Sequence, residues 1–164
     1  MKFLKEIIPY IIIIVAVVLI RTFIITPVQV DGDSMNPTLS DNEILILKKY
    51  DKSYERFDII VFNYNNSKLV KRIIGLPGET ISYKNNELYI NNEKIDDVQL
   101  NVITNDFDLN ELGYEIIPEG YYFVLGDNRD NSLDSRIIGL VSEENILGIT
   151  NFSIFPFNKF GFID

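Results

Sequence analysis

One uninterrupted apolar run and a train of short ones divide the chain. The long run, Ile7 to Ile20 (IIPYIIIIVAVVLI), has Pro9 one turn inside. At that length a buried helix, a signal peptide and a membrane span compete. Past Arg21 and Thr22 the sequence continues FIITPVQV, so a tilted span of about 20 residues is available once Arg21 snorkels to the interface. A cleavable signal would be followed by small residues in an A-x-A pattern, and only bulky or β-branched side chains occur there. The pattern therefore predicts an uncleaved anchor over residues 1–26. Lys2 and Lys5 ahead of the run favour a cytoplasmic amino terminus, with Arg21 on the far flank voting against. Residues 27–164 then form a body outside the cytoplasm, close to the membrane surface.

From Glu43 onward the periodicity is that of strands. EILILKKY and FDIIVFNY are compact and isoleucine-rich; KLVKRIIG follows and ends in GLPGE, where Gly75, Pro77 and Gly78 mark a tight turn. TISYK, ELYI and EKI are separated by Asn85–Asn86 and Asn91–Asn92. Asparagine tolerates positive φ, so these pairs predict two hairpin turns of a small meander. Residues Asp96 to Gly113 are acidic, lack a period and read as loop, which makes about 81–113 a variable hairpin and loop region. GYYFVLG predicts a strand, and Glu143 to Ile149 a short helix. The closing NFSIFPFNKFGFI carries five phenylalanines around Pro156 and reads as core first, as a surface resting on lipid headgroups second. The expected architecture is a mostly β, antiparallel domain behind a single amino-terminal transmembrane helix.

Composition narrows the chemistry. The 164 residues, 46% of them apolar, suffice for one core, and a net charge of −9 argues against nucleic acid, because no basic surplus exists to displace counterions. Cysteine and histidine are both absent, so disulfides, thiolate metal sites and cysteine nucleophiles are excluded, and zinc would have only carboxylates to bind it.

The stretch DGDSMNPTLS, Asp31 to Ser40, displays Ser34 on a bent loop ahead of Pro37. A hydroxyl is inert until a base takes its proton, and no histidine is present. Asp33 is adjacent, but neighbouring side chains of an extended stretch point to opposite faces. A lysine serves only when neutral, and lowering its pKa by about 3 costs about 4 kcal/mol of solvation, so its site must be dry. In KLVKRIIG the alternation puts Leu69, Lys71 and Ile73 on one face and Val70, Arg72 and Ile74 on the other, so Lys71 is flanked by aliphatic side chains. The competing reading of Lys71 is an edge charge that blunts aggregation. GDNRDNSLDSRIIG, Gly126 to Gly139, packs Asp127, Arg129, Asp130, Asp134 and Arg136 among small polar residues. That suits either a solvated surface loop or a hydrogen-bonded scaffold under a site. In extended conformation Ser132, Asp134 and Arg136 would share one face.

GDSMNPTL, KRIIGLPGE and GDNRDNSLDSRIIG, with DNEILIL between the first two, together resemble the boxes of the bacterial type I signal peptidase family, in family order and behind an amino-terminal anchor. The resemblance runs from Val30 to Gly139. It implies a serine–lysine endopeptidase without metal or organic cofactor, held in the plasma membrane by one span and cutting signal peptides from exported preproteins. Its partners would be those peptides, the lipid bilayer and, by proximity, the export machinery. Carried over by position, Ser34 would be the nucleophile and Lys71 the general base; Ser132 would hydrogen-bond the lysine amine. Asp134 and Arg136 would form a supporting ion pair, with Asp127 bracing the same region. Two departures stand out: Gly32 where some relatives have an oxyanion-binding serine, and Glu79 where aspartate is commoner. With Gly32, the oxyanion hole would rely on backbone N–H groups, including that of Ser34.

Two rival readings remain at this level. A self-cleaving serine–lysine repressor protease should carry a DNA-binding domain, whereas this chain is acidic and begins with an apolar run. A catalytically dead, membrane-tethered peptide-binding β module would have no need of both Ser34 and Lys71.

Overall fold

The computed structural model describes residues 2–97 and 102–163. In chain order the elements are α1 (Lys2–Phe23), β1 (Ile25–Gln29), β2 (Ile44–Lys48), β3 (Ile59–Tyr64), β4 (Ser67–Gly75), β5 (Ile81–Lys84), β6 (Glu87–Ile90), β7 (Glu93–Ile95), β8 (Phe107–Asp108), β9 (Tyr121–Leu125), α2 (Ser135–Ile138), β10 (Val141–Ser142), β11 (Ile146–Phe155) and β12 (Gly161–Phe162). The fold is thus mostly β with one apolar amino-terminal helix, as the periodicity predicts. Every strand pairing is antiparallel. An eight-stranded sheet runs β1-β2-β11-β3-β4-β9-β10, with β12 beside β11; a four-stranded sheet runs β7-β6-β5-β8.

The window Glu6–Phe23 of α1 has a mean hydropathy of 2.3 and none of it is buried against the rest of the chain. In water such a stretch of isoleucine and valine would favour a strand; a helix satisfies all its own backbone groups, which is the requirement inside lipid. The helix ends earlier than the expected anchor, because Ile25 already pairs with Lys48 as the first residue of β1. Its last carbonyls are fastened to the sheet. Lys49 Nζ donates to the oxygens of Arg21 and Thr22 at 3.5 and 3.3 Å, and Thr26 Oγ1 donates to that of Arg21 at 2.8 Å. A lysine at a helix carboxyl end also suits the macrodipole.

Both asparagine-paired turns form as expected, with Asn85, Asn86, Asn91 and Asn92 all at positive φ, between 52° and 66°. Three expectations need correction. Glu143–Ile149 is not a helix: a short 3₁₀ turn covers Glu143–Asn145, and Ile146 onward is β11, held between β2 and β3. The stretch Asp96–Gly113 is not all loop. Phe107–Asp108 pairs with β5, and Asp108 then caps a 3₁₀ turn with Glu111 reciprocating; residues 98–101 of that stretch lie outside the described residues. The closing phenylalanines are not core either, since Phe155, Phe157, Phe160 and Phe162 are exposed, Phe157 by 83%. They pack on one another instead: Phe152 meets Phe160 and Phe162 edge to face, and Phe155 meets Phe157.

Three apolar clusters stand behind the sheets. One joins β5 and β6 to β9 through Ile81, Tyr83, Leu88 and Phe123. A second packs Ile60, Phe62 and Ile73 against Tyr122 and Val124. The third, of Val28, Val30, Met35, Leu39, Leu45, Leu47, Val61 and Val70, lies under the loop that carries Ser34.

Candidate active site

Ser34 is presented because its neighbours are buried. Met35 and Leu39 are fully enclosed, and the Leu39 N–H donates to the Met35 carbonyl at 2.9 Å, closing a single turn. Two such side chains contribute about 1.5–3 kcal/mol each. Ser34, one position before this anchor, stays partly open. Its own carbonyl accepts from the Asn128 N–H at 3.0 Å, and the Asn128 side chain donates to the Asp33 carbonyl, tying the turn to the loop after β9.

Lys71 reaches the serine from β4. It is 1% exposed, and its Nζ lies 2.7 Å from Ser34 Oγ and 2.8 Å from the Val70 carbonyl. β9 pairs with β4 only from Arg72 onward, so at Lys71 the strand edge turned away from β3 is open. Residues 68–71 there face residues 28–31 across a narrow cleft that includes Ser34. Burial pushes the amine down to about 8 from its usual 10.5, against the opposing pull of the Asp134 and Asp127 carboxylates. At 2.7 Å a charged amine donates to the serine oxygen, whereas a neutral one receives the hydroxyl's proton. The edge-charge reading of Lys71 does not fit a side chain so enclosed.

Residues 3–155 match the family described as signal peptidase, peptidase S26. The chain belongs to that family. Signal peptidase I of Bacillus amyloliquefaciens is 43% identical over 161 residues, spanning 91% of this chain and 86% of that protein. Signal peptidase IB of Staphylococcus aureus (strain COL) is 39% identical over 178 residues, spanning 95% and 93%. The crystal structure of a signal peptidase I from Enterococcus faecalis V583 superposes with a TM-score of 0.56 at 41% identity, covering 59% of this chain and 96% of that one.

Within the closing box, Asp127 and Asp134 each have a defined partner. Asp127, fully buried, takes Arg72 Nε at 2.9 Å and a second guanidinium nitrogen at 2.7 Å, and accepts from Thr38 Oγ1 at 2.5 Å. It therefore links the turn that carries Ser34 to β4. Asp134, also fully buried, pairs with Arg136 at 2.8 Å and accepts from the Gly126 N–H at 3.1 Å. Ser132, Asp134 and Arg136 do not share an extended face, because Asp134 is the N-cap of α2 and Arg136 lies inside that helix. Ser132 is brought close to the Ser34 carbonyl but makes no hydrogen bond to the amine, whose partners are Ser34 Oγ and the Val70 carbonyl; Ser132 Oγ is buried without a hydrogen-bond partner. Arg129, which the sequence leaves among balanced loop charges, is buried on Asp97 at 2.7 and 2.9 Å and reaches Tyr83, Thr104 and the Gly126 carbonyl. Glu79, the departure from aspartate, grips Arg56 through both oxygens and accepts from the Leu76 N–H, closing the GLPGE turn.

Two glycines are fixed by geometry. Gly32 has φ +86°, which a side chain would strain, and its N–H donates to Asp41 Oδ1 at 2.8 Å. Gly126 has ordinary φ, but a Cβ there would run into the Ser34 carbonyl oxygen and Ser132 Oγ. Gly126→Ala should therefore lose about 1–3 kcal/mol in urea denaturation, the usual cost of overpacking a closed site. An unchanged midpoint would show that the loops slide apart freely.

Proposed function

We propose that this protein is a membrane-anchored endopeptidase that removes signal peptides from exported preproteins, with Ser34 as nucleophile and Lys71 as general base. What carries the reading is one contact: a lysine amine enclosed by the fold, 2.7 Å from a presented serine hydroxyl. Neutral Lys71 takes the Ser34 proton as Oγ bonds to the scissile carbonyl carbon. The protonated amine then gives that proton to the departing amine as the C–N bond breaks. In the second half, Lys71 deprotonates a water that hydrolyses the ester and returns Ser34 to its hydroxyl form. With Gly32 supplying no hydroxyl, the backbone N–H of Ser34 is the donor assigned to the oxyanion. Asp134–Arg136 and Asp127 support this constellation, and Ser132 is assigned to hold the amine once lysine turns from the Val70 carbonyl.

The substrate is an extended peptide lying in the cleft between residues 28–31 and 68–71, adding to two open strand edges. Val28, Val30 and Val70 are buried around it, which suits small side chains before the scissile bond. Helix α1 is the anchor, with its amino terminus cytoplasmic and residues 27–164 outside, within reach of the export machinery. The exposed phenylalanines of 155–162 form a second lipid-facing surface, since aromatic side chains favour the headgroup level.

The test is a pH profile of preprotein cleavage by the full chain. A base held near 8 must be unprotonated to act, so log(kcat/KM) should climb with slope near one up to about pH 8 and level off above it. A profile flat from pH 6 to pH 9 would rule out an amine base. Acylation of Ser34 by a penem-type inhibitor separates the enzyme from a dead peptide-binding module.

A further inference from the structure

Resting on the assignment of Ser34 as nucleophile, we propose that Glu43 and Lys159 are positioning residues that hold the far end of the nucleophile turn. The turn from Ser34 to Ser40 is fastened at Ser34 by Asn128 and at Thr38 by Asp127. Its other end is held by neither. There the Ser40 N–H donates to Glu43 Oε2 at 3.0 Å, and Ser40 Oγ accepts from Lys159 Nζ at 2.8 Å. Lys159 Nζ also donates to Glu43 Oε2 at 3.1 Å, so one carboxylate oxygen receives both the turn's backbone and the ammonium.

Glu43 is 1% exposed, and a carboxylate so enclosed is costly unless its charge is answered. Lys159 answers it from the opposite end of the sequence, out of a 3₁₀ turn, Phe157–Lys159, set among the exposed phenylalanines. Without the ammonium, the carboxylate keeps a charge that a single N–H does not balance, and it turns towards water through the cleft beside Pro37, Thr38 and Phe162. Ser40 follows it. Leu39 is next in the chain, and its N–H closes the turn on Met35, the residue bonded to Ser34. Displacement at Ser40 therefore reaches the oxygen that must stay in line with Lys71. The amine's own surroundings, Val70 and the carboxylates Asp134 and Asp127, contain no part of this clamp. Loss of the clamp should accordingly lower the acylation rate and leave the base's titration where it was.

The experiment is acylation of the detergent-solubilised full chain by a penem, read as saturating rate and half-saturating concentration from pH 6 to pH 10. Rates are counted per folded molecule from thermal melting. Lys159→Met and Glu43→Gln should each lower the saturating rate about tenfold, less than the hundredfold a 1 Å misplacement can cost. The half-saturating concentration should stay within about twofold and the acid limb at its wild-type midpoint. The double variant should be no slower than either single one, as expected for two groups acting as one unit. Lys159→Arg should restore most of the rate, because a guanidinium can donate to Ser40 and Glu43 together. Wild-type rates in Lys159→Met, a loss confined to half-saturation, or a moved acid limb would each overturn the clamp while leaving the dyad standing. If the wild-type chain is not labelled at Ser34 at all, the nucleophile assignment falls and the clamp falls with it.

Discussion

Lys71→Arg should cut preprotein cleavage by about 10³-fold, the middle of the range that a positioned general base supplies. Arginine keeps the charge and much of the reach, but its guanidinium does not deprotonate in proteins and so has no lone pair for the Ser34 proton. The native amine is different in kind. Lowered from 10.5 to about 8, it is neutral in roughly a tenth of molecules at pH 7, about 300 times the fraction of an ordinary lysine. Lys71→Met belongs beside it as a control, because an apolar chain of similar length fits a dry site without strain. It should be equally inactive, and at least as stable as wild type near pH 7, where the buried ammonium is a burden. Cleavage of a preprotein by wild type, Ser34→Ala, Lys71→Arg and Lys71→Met, with melting curves alongside, makes the comparison. Activity of the arginine variant within tenfold of wild type would end the general-base assignment.

The largest stability loss is expected at Asp127. Asp127→Ala leaves the Arg72 guanidinium, 4% exposed, with no carboxylate. Removing one member of a buried pair costs about 3–5 kcal/mol, since the survivor stays desolvated and unanswered. The same change removes the carboxylate that accepts from the Thr38 hydroxyl on the Ser34 turn, so activity per folded molecule should fall as well. Replacing both partners, as Arg72→Met with Asp127→Leu, should recover much of the lost stability, because no stranded charge remains. Urea denaturation of the wild type and the two variants decides it. A single-variant loss under about 1 kcal/mol would mean that water reaches Arg72 easily, contrary to its enclosure.

Local patterns made part of this site readable from the sequence. Lys71 stands out because strand alternation surrounds it with aliphatic residues, and paired asparagines announce two hairpin turns because few other residues accept positive φ twice running. What stayed hidden depends on distant parts of the chain meeting. Arg72 lies on the same apolar strand as Lys71, and a buried arginine demands a carboxylate, but nothing nearby says that Asp127 supplies it. Arg129 finding Asp97, and Lys159 finding Glu43, are hidden for the same reason. The segment after Glu143 misleads because its first residues form one 3₁₀ turn, while the rest is fixed as strand by β2 and β3. The phenylalanine-rich end misleads differently: apolar composition says that water is avoided, not whether protein or lipid takes its place. Ser132, Asp134 and Arg136 alternate on paper, and the capping of α2 by Asp134 breaks that alternation.

The seam between α1 and β1 has a further consequence. No slack separates them, and Lys49 and Thr26 hold the join. From Phe23 the chain can extend at most about 40 Å before Ser34. Under the proposed function, with α1 spanning the bilayer, Ser34 works at a set altitude and cannot roam. Which peptide bond is cut is then decided partly by elevation: a preprotein must bring its scissile bond to that height.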